Sequence, residues 1–155
     1  MSATTSRPDK MCRLVLSAIL VLTVVVFAPV VKAHAASSTS KPRSFNHYVY
    51  YSMANTVRKS ISSYVKVDCT KGANVRCVGG NPRIYIAPRG SLKKSGGFTF
   101  NSNRVSAGST WSCRVSAKTV AGISYYAKGQ FKFGKPGGYY GPYDTQQTGN
   151  LKAIV

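Results

Sequence analysis

The sequence contains no glutamate, and its only acidic residues are Asp9, Asp68 and Asp144. That scarcity removes most of the chemistry a small protein performs with carboxylates. Glycoside hydrolysis needs two carboxylates flanking one bond, and Asp68 and Asp144 read as one outward strand acid and one acid in a tyrosine-rich tail. Soft ligands are equally scarce. His34 and His47 are the only histidines, and Cys12, Cys69, Cys77 and Cys113 show no zinc-type two-residue spacing. A Cys113–His47 dyad is formally available. However, Cys113 shares a face with Trp111 and Val115, where a thiol behaves as a small inert hydrophobe. The residues therefore point to a protein that is not an enzyme, with no metal or cofactor.

The N-terminal third is organised as an export signal. Met1 to Arg13 is polar and basic, Leu14 to Val31 is almost wholly apolar, and Ala33-His34-Ala35 supplies the small-x-small pattern of a cleavage site. The expectation is a signal-peptide helix over residues 1–35, cleaved after Ala35, and a secreted product. The apolar run is long enough to just span a bilayer, so an uncleaved membrane anchor is the alternative.

Cleavage sharpens the charge. Of 22 Lys and Arg, the signal removes Arg7, Lys10, Arg13 and Lys32; of three acids it removes Asp9, leaving 18 cations against two acids, or +16 in 120 residues. Two carboxylates cannot neutralise such a surface, which repels itself and attracts polyanions.

Period-two alternation organises the remainder. Ile61, Val65, Val67 and Cys69 alternate with Tyr64, Lys66 and Asp68. In the first strand, Phe45, His47, Val49 and Tyr51 share a face. From Thr110 to Phe133 two amphipathic strands flank a Val120-Ala121-Gly122 turn. Trp111, Cys113, Val115 and Ala117 lie on one face of the first; Ile123, Tyr125, Ala127, Phe131 and Phe133 lie on one face of the second. This is the pattern of a hairpin with one buried face. Gly79-Gly80-Asn81-Pro82 reads as a break, with a short strand from Arg83 to Ala87 after it. About seven short strands with turn signals every 8–12 residues predict an all-β fold, a small antiparallel β-sandwich or partly open barrel. Residues 36–43 read as a disordered leader, 44–133 as the β domain and 134–155 as a Gly/Pro/Tyr-rich C-terminal segment.

An exported compartment permits disulfides. Cys69 and Cys77 end a plausible hairpin loop and form the preferred pair, with Cys113 a buried thiol. The alternative joins Cys113 to Cys69 across two sheets beside Trp111, an arrangement that resembles immunoglobulin-like sandwiches.

The cations cluster on the strand faces opposite the core. Arg114, Lys118, Lys128 and Lys132, with Tyr126 among them and Tyr64 beside Lys66, form a candidate polyanion-binding face, because cations interleaved with aromatic rings hold extended anionic polymers. Tyr139, Tyr140 and Tyr143 are candidate aromatic contacts. The leader and composition resemble small cationic secreted proteins of Gram-positive bacteria, some of them bacteriocin-like and antimicrobial; no motif carries that resemblance, so no site residue follows from it. Three partners fit: an anionic envelope polymer or membrane surface, a protein partner in adhesion, inhibition or surface assembly, and extracellular nucleic acid.

Overall fold

Alternating side chains carry most of the described residues into strands. The computed structural model describes residues 35–70, 78–101, 106–135 and 138–153, and among them there are strands and no helix. In chain order the strands are β1 (Ala36–Thr39), β2 (Arg43–Phe45), β3 (Tyr48–Val57), β4 (Ser60–Cys69), β5 (Val78–Ala87), β6 (Ser91–Ser95), β7 (Thr99–Phe100), β8 (Thr110–Lys118), β9 (Ser124–Lys135), β10 (Gly138–Asp144) and β11 (Leu151–Lys152). They form two antiparallel sheets. The first runs β1-β3-β4-β8, with β2 also on β3; the second runs β10-β9-β5-β6, with β11 on β9 and β7 on β5. Residues Ala33–Val155 cluster as one compact unit.

The two sheets face each other across the core. Tyr48, Tyr50, Val65 and Val67 of the first meet Val78, Phe131 and Phe133 of the second, and Ile61 and Val115 meet Ile84 and Tyr125. Glycine allows the closest approach: a Cβ on Gly129 would lie 2.2 Å from Val65 Cγ2, and one on Gly80 2.7 Å from Cys113 Sγ. Beside Gly129 a buried polar seam crosses the core. Ser52 and Thr145 share a 2.7 Å hydroxyl hydrogen bond, and Thr145 Oγ1 also accepts from the Gly129 N–H at 2.8 Å.

Several expectations change. Thr110 to Phe133 is not a hairpin. β8 pairs with β4 in the first sheet and β9 with β5 in the second, so the turn between them crosses from sheet to sheet. Both strands still aim their apolar faces inward, apart from Ile123, which is exposed in the turn. The described residues form eleven strands rather than about seven. The leader is ordered: β1 pairs with β3 through backbone bonds that need no apolar side chain, and Ser38 Oγ accepts from the Gly149 N–H. The C-terminal segment adds β10 and β11 to β9.

The inward face of β3 is Tyr48, Tyr50, Ser52, Ala54 and Thr56, the opposite of the expected one, and His47 lies exposed in the preceding turn. Gly79 to Pro82 sits inside β5 rather than breaking it. Pro82 C=O accepts from the Gly96 N–H. A strand residue's N and O point to the same side, so proline's missing donor faces the gap between β6 and β7 and spares the β5–β9 ladder. The expected signal peptide and Cys77, and with it the Cys69–Cys77 pair, lie outside the described residues.

Candidate functional site

The expected cationic face is divided between two surfaces pointing in opposite directions. Tyr64, Lys66, Arg114 and Lys118 lie on the outer face of the first sheet; Tyr126, Lys128 and Lys132 lie on the outer face of the second. The reason is the sheet-crossing turn: strands read as paired neighbours instead belong to separate layers.

On the first sheet, Arg114 stands opposite Tyr64, its guanidinium 5.7 Å from the ring centroid, with Nε donating to Ser116 Oγ at 3.0 Å. Lys66 is opposite Ser112, and Lys118 closes the strand opposite Ser60. Asp68 shares this face and accepts from Thr110 Oγ1 at 2.6 Å. Burial, and then the Asp68 charge, push the Tyr51 phenol above its ordinary pKa.

The second sheet carries a more continuous arrangement. The β5–β9 register places Tyr85 against Tyr126, Arg83 against Lys128, Asn81 against Gln130 and Gly79 against Lys132. Tyr85 and Tyr126 stack with centroids 5.1 Å apart and planes 8° from parallel. Arg83 Nη2 donates to Gln130 Oε1 at 2.6 Å, which holds the guanidinium beside Lys128. Lys132 Nζ sits 4.4 Å over the Phe98 ring. Phe98, Phe100 and Tyr139 follow as a chain of neighbouring rings with centroids 6.0 Å and 4.8 Å apart. Gly79 makes room for this cluster: a Cβ there would lie 2.4 Å from the Phe100 ring. The face therefore has an aromatic pair at one end, an aromatic trio at the other and cations between them.

One carboxylate enters this face. Asp144, opposite Gln130 on β10, pairs with Lys128 at 3.5 Å and accepts from Gln130 Nε2 at 3.2 Å. The pair is half exposed, so it weakly offsets the cations. A shallow polar cleft of about 320 Å³ borders it, lined by Arg43, Lys128, Asp144, Thr145, Gln146 and Gln147.

The three candidate tyrosines separate. Tyr139 is exposed on the outer face against Phe100. Tyr140 packs on Phe133 at 4.8 Å, and half-buried Tyr143 stacks on Phe45 at 4.7 Å, at the seam between the sheets. Cys113 is buried, and burial pushes its thiol up to about 11. It lies opposite Val65 in the β4–β8 ladder, and Cys69 is four residues further along β4. At about 3.3 Å per residue that separation is roughly twice what a disulfide spans, which rules out the inter-sheet Cys69–Cys113 alternative.

Arg83, Tyr85, Phe98 and Phe100 belong to this face but were not among the residues singled out from sequence. A signal existed for two of them: Ile84 and Ile86 pair on one side of β5, which puts Arg83 and Tyr85 on the other. Phe98 and Phe100 gave none, because only the fold of the Ser95–Phe100 stretch over Gly79 brings them there. No protein-family model and no curated protein matches the chain.

Proposed function

We propose that the protein is an exported cationic β-sandwich that binds anionic polymers of the cell envelope through the outer face of its second sheet. The observation that carries this reading is the β5–β9 ladder, where Arg83, Lys128 and Lys132 stand between the Tyr85–Tyr126 stack and the Phe98–Phe100–Tyr139 cluster. An extended phosphate-bearing chain laid along β9 would meet Lys128, with Arg83 beside it, and then Lys132 beyond Gln130, with aromatic rings at both ends. The export signal expected over residues 1–35 favours an envelope polymer over nucleic acid, because the envelope is the polyanion a secreted protein meets first. Scarce acid supports the same reading, since few internal carboxylates compete for the cations.

The test is sedimentation of the chain from Ala36 onward with wall material that retains its phosphate-rich polymer and with wall stripped of it. Binding to the first at low salt, lost by about 0.5 M salt as the Debye length falls well below 10 Å, is the expected result. Equal binding to stripped wall, or binding that persists at high salt, would refute the proposal and point to a protein-like partner. Tighter binding of single-stranded nucleic acid at matched salt would move the assignment to that polymer.

A further inference from the structure

One end of the domain gathers turns that the polymer-binding face does not use. The β3–β4 turn places Arg58 and Lys59 between the paired Val57 and Ser60. The sheet-crossing turn runs from Lys118 through Val120 to Ile123, and the Thr119 N–H donates to the Lys59 carbonyl at 2.9 Å, tying the two turns together. Ala87 and Lys152 both lie opposite Ser124, so the β5–β6 turn with Arg89, and the end of β11, arrive at the same place.

The chemistry of this end is unusual in two respects. Val57, Val120 and Ile123 are 49%, 57% and 36% exposed, three apolar side chains on adjoining turns. Around them stand Arg58, Lys59, Arg89, Lys118 and Lys152, all exposed. No side-chain carboxylate of the described residues is near: Asp68 is eight residues along β4 from Ser60, and Asp144 is opposite Gln130, six residues along β9 from Ser124. At about 3.3 Å per residue these acids are roughly 20 Å or more away. The sequence also spends conformational energy here. Arg58 has φ 49°, a left-handed value at which a two-residue turn ordinarily places Gly or Asn.

A soluble polyelectrolyte would satisfy the cations and leave the three apolar side chains in water. A bilayer surface takes both, with phosphates at headgroup level and apolar side chains just beneath. We propose that this end docks on anionic lipid surfaces, with Val57, Val120 and Ile123 entering the headgroup region and the five surrounding cations meeting lipid phosphates. The proposal goes beyond the polymer reading and shares no residue with it, so the two can fail separately.

The experiment uses the chain from Ala36 onward, the compact unit without the apolar N-terminal run, and vesicles of phosphatidylglycerol with phosphatidylcholine or of phosphatidylcholine alone. Binding to the anionic vesicles only is expected, reduced about fivefold for each cation removed in Lys59→Gln and Lys118→Gln and reduced again in Val120→Ser with Ile123→Ser. Depth is read with Val120→Trp in a Trp111→Phe background. Its emission should shift to the blue and be quenched by brominated acyl chains, whereas native Trp111, at the opposite end of β8, should not be quenched. Four results would overturn the proposal: no binding to anionic vesicles; binding with an unquenched tryptophan at 120; loss of vesicle binding in Lys128→Glu with Lys132→Glu but not in the turn variants; or polyphosphate binding lost in the turn variants without any vesicle binding, which would give this end to a polymer.

Discussion

Replacing Gly129 with alanine tests whether the two sheets meet where the core is narrowest. The added Cβ would lie 2.2 Å from Val65 Cγ2, 3.0 Å from the Asn81 carbonyl oxygen and 3.4 Å from Ser52 Oγ. Val65 is fully buried and already lies against Gly80, where a Cβ would fall 3.1 Å from it. It has no space to retreat into, so it must rotate off its rotamer or push the sheets apart. Overpacking of this kind costs about 1–3 kcal/mol. At about 4 °C per kcal/mol for a domain of this size, the melting temperature should fall by about 4–12 °C. Val65→Ala alone should cost about 1.5–3 kcal/mol through reduced burial and a cavity. The double variant should recover part of that loss, with a favourable coupling of at least about 1 kcal/mol in a double-mutant cycle. Urea denaturation followed by circular dichroism measures all three. A neutral Gly129→Ala, or costs that simply add, would mean that β4 and β9 do not face each other here.

Three further outcomes follow from the same geometry. Thr145→Val should cost about 1–3 kcal/mol by urea denaturation, because it leaves the buried Gly129 N–H and Ser52 hydroxyl without their partner; Thr145→Ser should restore most of it. Cys113 should react with thiol reagents at pH 8 only as fast as the domain opens, since with its thiol pushed up to about 11 the thiolate is about one part in a thousand. Unfolding returns that thiol to its ordinary value of 9.0, so between roughly pH 9 and 10 the unfolded chain releases a proton that the folded chain keeps; stability should fall with rising pH there, and Cys113→Ala should flatten that part of the profile, while the phenols of Tyr48, Tyr50 and Tyr51, also raised by burial, should keep stability falling above pH 10.

Strand faces were legible where side chains alternate strictly. β4, β8 and β9 point their apolar residues inward as read from sequence, because a one-residue slip would expose all of them. Which strands pair was not legible between β8 and β9. A tight turn with Gly122 at φ 77° looks the same whether the chain returns beside itself or crosses to the facing sheet. Hydrophobic alternation points β3 to the wrong face because two of its buried positions, Ser52 and Thr56, are polar. Ser52 is satisfied by Thr145 and by nothing nearby in sequence, and Thr56 donates to the Ala36 carbonyl of β1. β5 contains residues that usually break strands; Gly79 and Gly80 are there because Phe100 and Cys113 press on them. β1 was invisible for the opposite reason: Ala36-Ser37-Ser38-Thr39 buries little and is held by backbone pairing. The cationic aromatic surface was half legible. Its β9 residues followed from period two, but its partners on β5 and after β6 depended on pairing that local pattern does not encode.

The most direct measurement compares matched charge changes on the two opposite faces. Arg83→Gln with Lys132→Gln removes two cations from the second sheet, and Lys66→Gln with Arg114→Gln removes two from the first, leaving equal net charge. Binding of each variant to the wall phosphate polymer is then titrated over a salt series. Binding on the second sheet predicts that only the first pair of substitutions weakens affinity, with the log–log salt dependence becoming shallower by about one unit for each phosphate no longer neutralised. Equal losses from both pairs would mean that the polymer responds to total charge alone, and would contradict a defined binding face.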